Sequence, residues 1–476
     1  MAVFDNFVGG SYTLNSRNVE CQQAINLYPA INDFGTYQKI YFKQTPGLKK
    51  IIELKNEFRG GIVDQNDNVF LVDGNEFVSY KDVVNNKGQI ERVRRAIGGL
   101  QTDTGYVDIK YNGYQICVVD GDNIYVYVYE EDTFLKYSPA GWLGSKIVEV
   151  FEGYFVFAKP NSQMFYISEI YDARNIDALD YDLAEDDPDN IVGFTSGSKY
   201  LYIFGTQSVQ AYTNNGDSKF PLGSSGSFSV GCLSQKTINK INNQIFWLGQ
   251  EQSGYGFIYS MSAGSLNVQK ISNFAVDQFI QKQEDLEEAT AFSYQEDGHT
   301  FYCINFKNGN TTWCYDLVSQ FWHERRRLLS DGTETRSQVE THMVWKRKHI
   351  VSDVNKKALF EQSMNYYDND GESFKKLRRS PHLKVPDLNR IYINNFKLDM
   401  EVGNNLELPA EISLRKSNDG GYSWSSYITK KLPKAGRYKE KVQWNRLGSG
   451  VDIVLEISTT SNIDLTIMGA YIIWKL

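Results

Sequence analysis

Three kinds of residue in this 476-residue chain have types and spacings that could do chemistry: a Ser/Asp/Gly turn, runs of Lys and Arg, and scattered His and Cys. The turn is SNDGGYSW at 417–424. There Ser417 opens the loop, the Asp419 carboxylate can accept backbone N–H groups, Gly421 permits positive φ, and Trp424 can cap the hairpin apolarly. Such an arrangement stabilises a loop; it positions neither a nucleophile nor a proton donor. The basic runs are ERRR (Arg325, Arg326, Arg327), KRK (Lys346, Arg347, Lys348) and KKLRR (Lys375, Lys376, Arg378, Arg379). In a chain of net charge −8, they predict either loops paired with neighbouring carboxylates or a local surface contacting DNA phosphate or an acidic partner. None of His299, His323, His342, His349 and His382 stands three or four residues from another, so metal-ligand spacing is absent. Cys21, Cys117, Cys232, Cys303 and Cys314 form no CxxC pair. No metal and no cofactor is predicted. The acidic run AEDDPDN (184–190) lacks the alternating oxygens of an EF-hand loop and is expected to be a solvated loop between blades. With no GxSxG, HExxH or P-loop, the chain is not expected to be an enzyme.

The spacing of Ser417, Asp419, Gly421 and Trp424 resembles the Asp-box of sialidases and related glycosidases. That resemblance implies an alternative, a glycan-processing propeller in which arginines clamp a carboxylate. The box occurs once, however, and near the C-terminus rather than once per blade, which favours the turn. A stretch around Trp313 and Trp322 looks like a kelch-type blade edge and leaves a binding module as a further alternative. Both Trp side chains are expected to pack between neighbouring blades.

These residues must be held by the elements around them. Tyr (31) and Phe (27) are abundant and Met is scarce (7), a balance that favours strands over long helices. With 41% hydrophobic and 23% charged residues, the chain can bury a large core, and its length predicts two or three domains. No run reaches the ~18 apolar residues of a membrane helix, and MAVFDNFVGGSYT has neither a basic leader nor an apolar core. Neither membrane insertion nor secretion is expected, and an odd number of cysteines then predicts free thiols.

An apolar strand, a Gly/Asn/Asp turn and a second strand recur from NVFLVDGNEFVSY (68–80) to HIVSDVNKKALFEQS (349–363). Taking Phe77, Tyr125, Phe165, Val209, Ile258, Trp313 and Leu359 as equivalent gives steps of 40 to 55 residues, the length of a four-stranded propeller blade. The fold class is therefore all-β, with a β-propeller of six or seven blades over 51–368. A β-sandwich follows over 369–476, built from alternating strands at 398–400, 411–415, 442–444, 453–457 and 470–474. Residues 1–50 end in a QTPGL turn and form a segment that closes the propeller or faces a partner.

Two terminal signatures add a resemblance. The first comprises Gly10, Ser11, Tyr12, Ser16, Arg17, Cys21, Gln22, Asn26, Tyr28 and Pro29, then Thr45, Pro46, Gly47 and Leu48. The second comprises Asp419, Gly420, Gly421, Trp424, Gly436, Tyr438, Val442, Trp444, Arg446, Leu447 and Gly448, closing on Gly469 and Ala470. In this order they resemble the tail hub, or nozzle, proteins of short-tailed podovirus-type bacteriophages, the packaged-DNA stabilisation family. The Ser16–Arg17 order reverses that family's usual Arg–Ser. The resemblance is specific at the two ends and loose between them. It implies a structural protein of the virion tail, made in the bacterial host cytoplasm. Self-association into a hexameric ring below the portal-adaptor would extend the DNA conduit, pass double-stranded DNA transiently, help retain it, and anchor tail spikes or fibres. The motif positions Arg17, Asn26, Tyr28, Pro46, Gly47, Trp444 and Arg446 would lie at interfaces, residues 1–50 would face the adaptor or close the propeller, and the basic runs would meet the adaptor, a spike or phosphate.

Overall fold

Apolar alternation broken by Asp-Gly and Asn-Gly turns makes strands of most of the chain in the computed structural model. It describes residues 2–32, 39–84, 88–184, 189–217, 220–251, 254–403 and 410–475. Seven antiparallel sheets follow one another around an axis. Their innermost strands are Phe58–Val63, Asp108–Tyr111, Val148–Phe151, Ile191–Ser196, Asn239–Ile241, Thr290–Glu296 and Val339–Trp345. In the fifth blade Gly231–Cys232 shares the inner position with Asn239–Ile241, both pairing with Gln244–Gln250. Each inner blade edge touches the next and the last touches the first, so the ring closes as a seven-bladed propeller. All seven residues taken as equivalent in the sequence lie on the third strand of successive blades.

Blades adhere through the apolar faces of these strands. Phe77 of the first blade stacks on Phe134 of the second with ring centroids 4.2 Å apart. Trp313 and Trp322 are buried with Phe246, Leu248 and Ile258 between the fifth and sixth blades, as expected, and Trp322 Nε1 donates to the Ile271 carbonyl at 2.9 Å. The seventh blade takes its outermost strand, Gly47–Glu53, from the N-terminal side, antiparallel to Lys356–Ser363. That strand begins in a crowded place. A Cβ on Gly47 would stand 2.3 Å from the Asp368 carbonyl oxygen and 2.5 Å from that of Tyr366, so the Pro-Gly step fits there only as glycine.

The C-terminal sandwich also borrows from the N-terminus. One sheet orders Leu27–Ile31, Ile40–Gln44, Thr466–Lys475, Ile391–Met400 and Val442–Gly450, with Ala2–Val3 added on Thr466–Lys475. Pro29 sits on its edge strand, where a missing N–H is tolerated. The facing sheet contains Cys21–Ile25, Lys376–Arg379, Val454–Thr459, Glu411–Ser417 and Ile428–Lys431. Between them Phe7, Phe42, Phe396, Leu398, Trp444 and Ile457 form the core. Cys21–Ile25 also runs parallel to Trp322–Leu328, meeting it at Ile25 and Glu324, so the sixth blade and the sandwich share one eleven-stranded sheet.

Asn26 turns the chain out of that shared strand at φ 53°, a conformation Asn tolerates better than most residues. Its backbone N–H donates to the Glu324 carbonyl at 2.8 Å. Its side-chain amide donates to the carbonyls of Arg326 (2.9 Å) and Lys375 (2.8 Å), and its Oδ1 accepts the Arg326 N–H at 3.0 Å. Asn26→Ala leaves three backbone groups without partners and should cost about 3 kcal/mol, read as a shift in the denaturant midpoint. A loss below about 1 kcal/mol would contradict the role given to this side chain.

Candidate functional site where the two ends of the chain meet

The two sequence signatures, remote in the chain, come together along the strand Lys376–Arg379. Arg378 is fully buried there. Its Nε donates to the Phe7 carbonyl (2.6 Å), its Nη1 to those of Gly9 (3.3 Å), Gly10 (3.1 Å) and Gln23 (3.3 Å), and its Nη2 to the Asn6 carbonyl (3.2 Å) and Gln22 Oε1 (2.5 Å). None of the six acceptors is a carboxylate. Burial pulls this guanidinium down to about 9, yet five fixed donors against six oxygens suit only an arginine. Further out, Arg17 Nη1 donates to the Gly421 carbonyl at 2.9 Å and its guanidinium lies over the Tyr422 ring.

Gly421 belongs to the SNDGGYSW turn, which is built as its residue types suggest. Asp419 Oδ1 accepts the N–H groups of Tyr422 (3.1 Å) and Ser423 (2.9 Å), and Ser417 Oγ accepts that of Gly421 (2.8 Å). Hydroxyl donors from Ser417 and Ser423, then the Ser423 N–H, hold the Asp419 carboxyl down at about 2. The Trp424 ring is packed against the guanidinium groups of Arg379 (4.9 Å) and Arg415 (4.7 Å). Both arginines converge on Glu456, which is fully buried, at 2.8 and 2.6 Å. These two arginines thus already clamp a carboxylate, one the chain itself provides.

One further constellation has the types of a nucleophile, a base and an orienting acid: Cys21, His382 and Asp452. His382 Nδ1 is 2.7 Å from Asp452 Oδ1 and Nε2 is 2.8 Å from the Arg17 carbonyl. Contact with the Cys21 side chain and with Asp452 raises the imidazole to about 9. Cys21 is fully buried, so the order of groups is that of a triad but the thiol is closed to substrate.

Of the two readings the sequence left open for the basic runs, pairing with carboxylates describes most of them, and one run stays exposed. Arg325 is buried and donates to Tyr294 Oη at 2.5 Å. Arg326 pairs with Glu324 and Glu334, Arg327 with Glu372, Lys375 with Glu334, and Arg379 with Glu456. Lys376 and Arg378 are buried. Lys346, Arg347 and Lys348 are exposed, with Lys346 held by Asp82 and Lys348 by Glu361. Of the motif positions expected at interfaces, Asn26, Tyr28, Pro46, Gly47 and Trp444 are buried inside this chain; their roles are internal. Arg17 and Arg446 are exposed. Of AEDDPDN, residues 185–188 lie outside the described residues.

The exposed cations the sequence reading missed are Lys430, Lys431, Lys434, Arg437, Lys439 and Lys441, on the sandwich edge strand and the loop after it. Glu440 pairs with Arg437 at 2.6 Å. Spread over a dozen residues with Leu, Pro and Gly between them, they form no run. A cavity of about 680 Å³ occupies the propeller centre, lined from every blade, by Arg59, Asp108, Val148, Phe194, Asn239, Ser293 and Glu340 among others. Its charges are largely matched: Lys110 reaches Glu149 at 2.9 Å, and Asp108 accepts the Val148 N–H and Gln235 Nε2. Burial raises the Asp108 carboxyl.

A family model described as the β-propeller of bacteriophage P22 Gp10 matches residues 7–365, and one described as its β-sandwich matches residues 379–474. No curated protein matches the chain. Solved structures similar to it include a streptogramin B lyase, 11% identical over 67% of this chain and 97% of that one with a TM-score of 0.40. Another is the Cps50 (Swd1) propeller domain of Myceliophteria thermophila, 8% identical over 67% and 99% with a TM-score of 0.42. Likeness so distant transfers no activity.

Lys376 supplies a test of the buried cations. Its Nζ donates to the carbonyls of Ser461 (3.0 Å) and Ile463 (3.2 Å), and burial pulls the ammonium from 10.5 down to about 7. Between those values the folded chain binds fewer protons than the unfolded chain, so this residue's contribution to stability rises with pH. Lys376→Met should abolish that rise. The stability of the wild type relative to the variant, from urea midpoints, should increase from about pH 7 to about pH 10; a difference independent of pH would contradict the burial.

Proposed function

The chain belongs to the bacteriophage P22 Gp10 family, and from that premise we propose that it is a tail hub, or nozzle, assembled as a ring below the portal-adaptor. It is a phage structural protein; the ring, its neighbours and its dealings with DNA are the proposal. The observation that carries it is the eleven-stranded sheet that fuses the sixth blade to the sandwich. A fitting between other rings works through shape and contact area, and a shared sheet keeps two domains from moving against each other.

The size of the central cavity supports several copies rather than one. Spread along one turn of duplex, about 34 Å, 680 Å³ would leave a section of about 20 Å². Duplex DNA has a major groove alone about 12 Å wide. The conduit would therefore run between copies, with propellers as the wall and their axes outside it. A net charge of −8 would keep passing DNA from adhering to that wall, and the ring would help retain packaged DNA by narrowing its exit. The exposed lysines at 430–441 would face an acidic surface of the adaptor or of a spike or fibre.

Native mass spectrometry of the chain mixed with its portal-adaptor complex tests this directly. The expected species is a hexamer of this chain bound to the complex. A monomer that persists beside an intact portal-adaptor would overturn the proposal.

A further inference from the structure

We propose that Glu20, Cys21 and His382 form a zinc site that pins the N-terminal segment to the sandwich. Their ligand atoms, a carboxylate oxygen, Sγ and an imidazole nitrogen, lie within 4.8 Å of one another. A mixed oxygen, sulfur and nitrogen set suits zinc, which is borderline soft and takes tetrahedral sites from these side chains. With bonds of about 2.0–2.3 Å, ligands on one tetrahedral zinc stand roughly 3.2–3.8 Å apart. Small side-chain adjustments therefore bring these three onto one ion.

The surroundings complete the set. Asp452 Oδ1, 2.7 Å from His382 Nδ1, takes the N–H on that side and aims the other nitrogen's lone pair at the metal, as carboxylates behind zinc-bound histidines do. The Arg17 carbonyl, 2.8 Å from Nε2, is an oxygen near enough to serve as a fourth donor. Across from them lies the Asp-Gly-Gly turn. A Cβ on Gly420 would stand 3.3 Å from His382 Cε1 and one on Gly421 3.6 Å from Cys21 Sγ, both at positive φ. The two glycines thus border the ligands without crowding them. Full burial of Cys21, which closes it to substrate, is what a structural ligand requires. Binding changes no oxidation state: zinc(II) displaces the thiol proton and the Nε2 proton of the imidazolium, and both leave to solvent.

The test uses the whole chain, purified without chelator and titrated with zinc chloride and with cobalt chloride. One zinc per chain is expected by mass spectrometry of the metal. The cobalt form should show the near-ultraviolet thiolate-to-cobalt charge-transfer band, which needs a cysteine ligand. Cys21→Ser should abolish that band. Asp452→Asn, which touches no metal and keeps the shape of the side chain, should weaken zinc binding roughly 10–100-fold. Failure of the wild type to bind zinc in excess would overturn the proposal. So would a cobalt band that survives in Cys21→Ser, or an unchanged affinity in Asp452→Asn. Should Cys21→Ser not fold, the wild-type spectrum and Asp452→Asn decide between them.

Discussion

Arg378 carries a fully buried guanidinium whose hydrogen-bond acceptors are all uncharged oxygens of residues 6–23. A buried ion loses several kcal/mol of hydration, and here protein dipoles replace that hydration. If the N-terminal segment lifted away, the guanidinium would lose all six acceptors at once, so these hydrogen bonds hold the segment as a unit. What it fixes in place is the strand Cys21–Ile25, and that strand is the seam of the molecule. It pairs with Lys376–Arg379 in the sandwich and with Trp322–Leu328 in the sixth blade. From its end Asn26 sends the chain into the other sandwich sheet, and Gly47 then opens the strand that completes the seventh blade. Propeller closure, sandwich completion and domain docking therefore follow from one anchored segment.

This economy of charge shapes what the surface can do. Most arginines and lysines of the 324–379 region are spent inside, on Glu324, Glu334, Glu372 and Glu456 or on backbone carbonyls. They rigidify the junction. An exposed positive stretch lies on the sandwich, at Lys430 to Lys441. The groups that resemble catalytic machinery share the same fate. Two arginines meet a glutamate the chain provides, and a Cys–His–Asp order ends on a thiol without access. In both places the polar chemistry holds the chain to itself.

Much of the fold was legible because it depends on local pattern. Asp-Gly and Asn-Gly turns between apolar doublets mark the middle hairpin of the first, second and sixth blades, and every position chosen from Phe77 to Leu359 falls on a third strand. The sandwich strands around Leu398, Leu414, Trp444, Ile457 and Ile472 were visible by their alternation. The site was legible only as two motifs. Arg378 lies about 370 residues from the carbonyls of Asn6 and Phe7, and Asn26 about 300 from the Arg326 backbone, and no periodicity reports such pairs. The basic runs left two readings open because a run of like charge says nothing of the acids that fold against it. Lys430 to Lys441 escaped notice for the opposite reason, being diluted by Leu, Pro and Gly. The terminal signatures carried the family because they hold residues whose geometry admits few substitutes: an Asn at positive φ, a Gly beneath two carbonyls, an Arg stapled to a turn.

Native-state hydrogen exchange on the intact chain measures the seam most directly. Segments that open only with global unfolding exchange together and slowly. If the N-terminal strand welds propeller to sandwich, the amides of Cys21–Ile25 should be as protected as those of Trp322–Leu328 and Val454–Thr459 on either side. If residues 21–26 instead exchange like a frayed end while blades and sandwich stay protected, the two domains move independently, and a single rigid body is the wrong description of this protein.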